Sequence, residues 1–380
     1  MYSLNGHGEM LADRIRTGAY VVAIRKSVKP GSVVLDIGTG TGLFALIACQ
    51  AGARRVYAIE PDAVIDVARQ MASANAFGKS IEFIQALSTQ VALPEPVDVI
   101  VSDLRGVLPF FQGHIPAISD ARCRFLKPGG VQIPRKDTIW LACIEAPELH
   151  ESITSPWTGN PYGLAMTAGL ELTLNQWRRA DIEAGQMITP PQFCGEIDYE
   201  TVEETGFRTS VSVRANRNGS CHGVGVWFDS LLADGVQLSN SPDAPRLIYG
   251  KAFFPWPRPM PIEKGDSVNV DLKCELVDGE YVWVWEASLR PVRGAGAVHF
   301  RQSEFFGQPL SLAQIKKLSA AHVPALSAEG KIDCLVLTLM QEGHSLGEIA
   351  SRLVSLHPGT FSCWQNALSR VARISAAYSG

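Results

Sequence analysis

A chain of 380 residues holds two or three domains at the usual ~100–200 residues each, which excludes a peptide-scale module. Hydrophobic residues make up 46% and charged residues only 19% against a typical ~25%, and no run reaches the ~18 consecutive apolar residues of a membrane span, so a soluble globular protein with no membrane partner is expected. A net charge of −4 supplies no basic field to hold a phosphate backbone, which argues against nucleic acid and for an enzyme acting on a small-molecule or peptide substrate.

In chain order, Met1-Tyr-Ser-Leu-Asn lacks the basic and apolar regions of a signal peptide. Residues 33–37 form a short apolar β-branched run, 43–50 have helical character, and 56–60 restore the strand pattern, which together read as a βαβ unit. Residues 97–101 repeat the continuous apolar run, so 1–145 is expected to be an α/β domain with a parallel sheet buried on both faces. Residues 146–310 are β-rich and turn-punctuated, with strands expected at 209–213, 223–228, 267–272 and 281–286, as in a barrel or sandwich. Within them, 162–184 has mixed helical character and reads as an insertion that leaves the barrel to find a partner.

Residues 311–380 are helical. Ser345-Leu-Gly-Glu348 has the capping-box spacing ahead of the apolar positions Ile349 and Leu353, and 334–340 and 361–376 complete a three-helix pattern. This module is either a small bundle docked on the barrel or a winged-helix-like unit that recognises a peptide. The eight cysteines fall in no CxxC or CxxH pair, so no metal site or redox motif is expected, and the thiols read as reduced in a cytoplasmic protein.

The strongest chemical signal is Val33-Val-Leu-Asp-Ile-Gly-Thr-Gly-Thr-Gly-Leu43. A strand ends at Asp36, Gly38, Gly40 and Gly42 let the backbone turn tightly against a ligand, and a helix follows. The spacing is GxGxG, with Leu43 where a dinucleotide fingerprint places its last glycine, which disfavours a nucleotide pyrophosphate. Glu60 ends the second strand, placed to accept hydrogen bonds from a ribose diol.

With these features, His7-Gly-Glu-Met10-Leu-Ala-Asp13, Arg14-Ile-Arg16-Thr17, Leu93-Pro94, Ser102-Asp103 and Leu126-Lys-Pro-Gly-Gly130 resemble the protein arginine N-methyltransferases over residues 1 to about 310. The resemblance implies an S-adenosylmethionine-binding, doubly wound Rossmann-like domain, a β-barrel, and a helical arm at about 160–185 through which two subunits form a homodimer. It makes Arg16 the ligand of the cofactor carboxylate and Glu60 the ribose ligand. Asp36 would face the methionyl ammonium or order the loop, His7 and Met10 would pack near the cofactor, and Gln90 would accept from the adenine amino group.

The family's pattern breaks at the acceptor loop. Asp103 and Gln112 stand where two glutamates clamp a guanidinium, and Ile248 stands where a supporting histidine is expected. Arg105, two residues from Asp103, would quench that carboxylate or face the substrate, with Lys251 adding to an anion site. Asp103, Gln112 and Arg105 are therefore the candidate catalytic residues. The expected function is methyl transfer to a non-arginine acceptor, a small molecule or peptide, through nitrogen. The alternatives are a genuine protein arginine N-methyltransferase and a catalytically silent cofactor-binding scaffold.

Overall fold

Asp13 closes one helix and opens the next. It follows α1 (Leu4–Ala12), and its Oδ1 accepts from the Arg16 backbone N–H at 2.9 Å, capping α2 (Arg14–Ser27). Its other oxygen accepts from the Ile248 N–H at 2.8 Å, which ties this helical start to a loop more than two hundred residues away. The computed structural model describes residues 3–292, 297–309 and 311–379, except for the side chains of Pro161 and Gln314. They divide into two compact units, Met1–Pro309 and Leu310–Gly380.

The first unit opens with the expected α/β alternation: β1 (Val33–Ile37), α3 (Leu43–Gln50), β2 (Arg55–Ile59), α4 (Ile65–Ala74), β3 (Ile81–Ile84), β4 (Val97–Ser102), α5 (His114–Phe125) and β5 (Leu126–Ile133). The five strands run parallel in the order β3-β2-β1-β4-β5. All five residues of β1 are buried, which explains its unbroken apolar run apart from Asp36. The register sets Ile37 opposite both Ile59 and Ser102. The segments that follow β1, β2 and β4 therefore leave one edge together, where strand order reverses and open α/β sheets bind ligands.

Twelve further helices and strands follow among the described residues of this unit. They are β6 (Lys136–Ile144), α6 (Pro147–Thr158), α7 (Ala168–Leu174), β7 (Arg178–Ala180), β8 (Gln192–Asp198), β9 (Phe207–Arg214), β10 (Gly219–Ala233), β11 (Val236–Ser239), β12 (Lys251–Ile262), β13 (Ser267–Val277), β14 (Glu280–Arg290) and β15 (Val298–Ser303), with a 3-10 turn at Ala184–Gln186. One antiparallel sheet has the order β7-β12-β10-β6-β8, with β11 on β10, and the other is β15-β14-β13-β9. Phe254 joins them, its ring centroid 5.2 Å from Trp283 and 5.3 Å from Trp285. All three are buried, as edge-to-face aromatics pack well in such a core.

Two boundaries differ from the sequence reading. β6 pairs with β10 and β8, so the change from parallel to antiparallel sheet precedes Lys136 rather than falling near 145. Residues of both sheet systems also share one continuous apolar core. Within 160–185 only Ala168–Leu174 is α-helical, and β7 at its far end joins the sheet through β12. Trp157 packs there against Gly169, where a Cβ would sit 2.1 Å from its ring, whereas Tyr162 is 99% exposed.

The second unit holds α8 (Leu312–Lys317), α9 (Ala328–Gln341), α10 (Leu346–Leu356) and α11 (Trp364–Tyr378). Ser345 and Glu348 form the expected reciprocal cap of α10. Val336, Ile349, Leu353 and Val371 centre a core of its own. No helix among the described residues is long and apolar enough to cross a membrane.

Candidate active site

The glycine turn is held by its neighbours on both sides. The Gly38 and Thr39 N–H groups donate to the Ile59 carbonyl at 2.9 and 3.0 Å, folding the turn over the end of β2. Gly42 starts α3 at φ +87, where a Cβ would stand 3.0 Å from the Ala68 Cβ of α4. Gly40 sits at φ +53 with the His7 ring against it, 3.0 Å from a Cβ built there, so α1 lies across the turn at this point and a side chain at Gly40 would displace it.

Two acids flank this turn. Asp36 is fully buried; its Oδ2 accepts from the Thr39 hydroxyl at 2.6 Å and the Ala45 N–H at 3.0 Å, while Oδ1 has no partner among the described residues. Burial pushes its carboxyl up to about 7 despite those two donors. Glu60 accepts from the Gly40 N–H at 3.0 Å through Oε2 and from the Asp62 N–H at 3.1 Å through Oε1. One backbone bond on each oxygen leaves each a lone pair for an outside donor. Leu104, next to Asp103, packs against Gly38 from the third side.

Behind the turn lies a buried ionic cluster. Asp103 Oδ2 accepts from Arg16 Nε at 2.6 Å and from the Tyr249 hydroxyl at 2.6 Å, with Arg16 Nη2 at 2.5 Å, and Oδ1 accepts from Arg105 Nε at 3.0 Å. Arg105 spends all five of its N–H groups inside the protein. Nη1 donates to Asp137 at 2.9 Å and Ser230 Oγ at 2.8 Å, and Nη2 donates to the Tyr20 hydroxyl and, at 3.3 Å, to that of Tyr249. Its side chain and that of Asp137 are fully buried, and its guanidinium stands 5.1 Å from the Phe228 ring. The Tyr199 hydroxyl donates to Asp137 at 2.7 Å and accepts from His114 Nε2 at 3.0 Å.

The electrostatics follow from this wiring. Burial alone would raise the Asp103 carboxyl, but the Arg16 and Arg105 guanidiniums hold it down at about 2. His114 is pulled to about 3, first by burial and then by Arg105, and so is neutral. Burial depresses the charged forms of Arg16 and Arg105, yet their carboxylate partners keep both protonated. Two cations thus face two carboxylates, and the cluster has no net charge. A carboxylate held near 2 is also a poor proton acceptor at neutral pH.

The structure gathers His7, Met10, Arg16, Asp36, the three glycines, Glu60, Asp103 and Arg105 around one sheet edge; Met10 contributes its carbonyl, which accepts from the Thr17 hydroxyl at 3.0 Å. It does not bring Gln112 or Gln90 into these bonds. Gln112 is exposed at φ +43, and Gln90 is exposed in a single 3-10 turn at Ser88–Gln90. Arg105 does not face a substrate, because its guanidinium is saturated. Lys251 is nearly buried opposite Ala180, and it makes no bond to the cluster; burial lowers its ammonium, which Asp181 partly restores. Phe110 is core, packed edge-on to Trp283 at 5.6 Å.

Sequence reasoning missed Tyr20, Asp137, Tyr199, Ser230, His114 and the role of Tyr249. A signal existed for one of them. Asp137 shares its strand face with Ile139 and Leu141, and a carboxylate on the apolar face of a strand requires a buried partner.

These residues fit the group implied by the resemblance. The unpartnered Asp36 Oδ1 suits a cation, and the spare lone pairs of Glu60 suit a diol.

Residues 135–279 match the family model described as the arginine methyltransferase oligomerization subdomain, and residues 17–132 match that of the ribosomal protein L11 methyltransferase. The chain is 30% identical over 280 residues to protein arginine N-methyltransferase 1 of Dictyostelium discoideum, covering 72% of this chain and 82% of the relative. It is 28% identical to the Saccharomyces cerevisiae protein of the same name, covering 70% and 80%. Its fold is similar to the crystal structure of Arabidopsis thaliana protein arginine methyltransferase 10, at 26% identity and a TM-score of 0.70 over 79% of this chain and 97% of the other.

Proposed function

This chain belongs to the protein arginine N-methyltransferase family, and we propose that within it the enzyme transfers the S-adenosylmethionine methyl group to an acceptor other than an arginine side chain. When bound, the cofactor supplies a methyl group activated by its sulfonium. Glu60 would hold the ribose hydroxyls, Asp36 the ammonium end, and Arg16 the carboxylate through N–H groups not spent on Asp103. His7 on α1 would cover the cofactor from outside the turn.

The observation that carries the acceptor reading is the occupancy of Asp103. Its two oxygens already receive Arg16, Arg105 and Tyr249, so an incoming guanidinium would meet a carboxylate that is neutralised twice over. A second acid is missing, since Gln112 is neutral and exposed. A cationic acceptor would therefore be desolvated without compensation. A nitrogen of a small molecule or peptide that is neutral when it binds needs only in-line placement, and no strong base.

The test is incubation with methyl-labelled S-adenosylmethionine of two pools, arginine-rich peptides and a mixture of small amines and short peptides without arginine. Label is expected in the second pool alone. Label in the arginine-rich peptides that disappears in Asp103→Asn would replace this reading with arginine methylation, and cofactor binding without transfer to either pool would replace it with a silent scaffold.

The assembly we propose is a homodimer formed through the 160–185 region. Supporting it are the oligomerization-subdomain match and the apolar surface there, with Tyr162 99%, Leu164 61% and Met166 41% exposed. Sedimentation at micromolar concentration should give twice the 41.2 kDa chain mass; a monomer would sink the assignment. A cytosolic location accords with eight free cysteines.

A further inference from the structure

The parallel sheet has a second end. The glycine turn and the Asp103 cluster lie where β1 and β4 stop, whereas the end of α2, the start of β5 and the β10–β11 turn frame a cleft of about 760 Å³ where the strands begin. Five cations and two acids line it, in a chain whose net charge is −4. Lys26 and Lys29 are exposed at the end of α2 and just beyond it, and the half-buried Arg122 lines the cleft from α5. Lys127 belongs to β5, and Arg135 to the loop that follows it.

Ion pairing sorts these cations into two groups. Arg135 is paired with Glu200 at 3.0 Å and with Asp234, and Lys127 is paired with Asp98 at 2.7 Å. The other three bond only to neutral oxygens among the described residues. Lys26 Nζ donates to the Asp234 carbonyl at 3.2 Å and Lys29 Nζ to the Lys26 carbonyl at 2.8 Å, so each ammonium keeps two of its three N–H groups. Arg122 donates to the Tyr199 and Val202 carbonyls at 2.8 and 2.9 Å and to the Ser119 hydroxyl. Carboxylates of this chain thus occupy two of the cleft's cations and leave three for a ligand.

We propose that this cleft docks an acidic segment of a partner polypeptide, its carboxylates seated on Lys26, Lys29 and Arg122 as Glu200 and Asp98 are seated on Arg135 and Lys127. The backbone suits an extended chain. The register of β5 against β4 jumps from Val97 opposite Leu126 to Val99 opposite Val131, so residues 127–130 bulge from the ladder. A Cβ built at Gly129 meets no atom within 4 Å, which offers bare main chain for a peptide to lie along. A nucleic acid fits less well, because its phosphates continue past the cleft onto a chain with an excess of acid, where no counterions are released. The cleft lies at the opposite sheet end from the glycine turn, so the inference holds whichever acceptor atom is methylated.

Fluorescence anisotropy on the full chain tests this with three short labelled probes: a glutamate-rich peptide, the same peptide with glutamine in place of glutamate, and a single-stranded oligonucleotide of equal charge. The glutamate peptide is expected to bind saturably and the glutamine peptide not to bind. Its affinity should fall as salt shortens the screening length from ~10 Å at 0.1 M to ~3 Å at 1 M. The double variant Lys26→Glu with Lys29→Glu should weaken it by at least about tenfold, since each reversal turns an exposed attraction into a repulsion, and the glutamine pair at the same positions by less. Lys79→Glu, exposed and outside the cleft, should leave it unchanged. Binding of S-adenosylhomocysteine should stay within about threefold of the parent in every variant, which shows that each is folded and separates this site from the cofactor turn. Absence of saturable peptide binding, binding that survives in the folded double variant, an equal loss in Lys79→Glu, or an oligonucleotide that binds as tightly as the glutamate peptide would overturn the proposal.

Discussion

Replacing Asp137 by alanine is expected to destabilise the unit that contains it by about 3–5 kcal/mol, the cost of breaking a buried ion pair and leaving two guanidiniums, Arg16 and Arg105, to one carboxylate. Arg105 donates to both oxygens of Asp137, and both side chains are fully buried. Water cannot reach the freed N–H groups, Tyr20, Tyr249 and Ser230 offer only neutral oxygens, and the remaining carboxylate, Asp103, is already shared with Arg16. Urea unfolding followed by tryptophan fluorescence would report this, because Trp256, Trp283 and Trp285 are buried in the same unit. Replacing both partners, as Arg105→Met with Asp137→Leu, should recover most of the loss, since a buried pair is often no better than apolar side chains of similar volume. A single-variant cost below about 1 kcal/mol, the range of an exposed pair, would contradict the buried cluster.

The second large effect concerns the cofactor. In Glu60→Ala, binding of S-adenosylhomocysteine is expected to weaken by at least about 100-fold. Hydrogen bonds to a charged acceptor contribute about 1.5–3 kcal/mol each, and every ~1.4 kcal/mol is a factor of ten in affinity. The substitution also releases the Gly40 and Asp62 N–H groups from the carboxylate, which loosens the turn that would receive the ligand. Glu60→Gln keeps an oxygen for one hydroxyl and should lose about tenfold. Calorimetric titration checks both, and an alanine variant within about threefold of the parent would show that Glu60 only orders the turn.

The cluster gives a physical account of why one substitution in the acceptor loop matters more than the others. A glutamine at 112 removes a charge from an exposed position. An arginine at 105 adds a charge inside the protein, and the fold has answered it with Asp137, Ser230 and three aromatic rings within cation–π reach, those of Phe228, Tyr249 and Tyr20. Arg105 is thus part of the buried scaffold. Its Nε donates to Asp103, which in turn holds Arg16, and Leu104, next to Asp103, packs against Gly38.

Much of this was legible in the residues alone. The apolar runs at 33–37 and 97–101, each carrying a single aspartate, specified buried parallel strands because a strand covered on both faces has little polar side to show. Asp36, Gly38, Gly40, Gly42 and Glu60 announced a tight glycine turn flanked by two acids because their spacing is set by local backbone geometry, within one βαβ unit. The capping box at Ser345 and Glu348 was equally local. The boundary before Lys136 and the short α7 were not legible. Turn-rich strands and mixed helical runs carry weak periodicity, and only pairing with β10, β8 and β12 decided them.

What the sequence by itself determined, then, is the family and the glycine turn, since each rests on residues close together in the chain. What only the tertiary structure decided is where Arg105 goes. Its neighbour Asp103 is two positions away and was foreseen as a partner, but Asp137, Ser230 and Tyr249 lie 32, 125 and 144 positions off. A buried charge is placed by whichever opposite charge and hydroxyls the fold carries to it, and that information belongs to the packing of β4, β6 and β10 rather than to any segment of the chain.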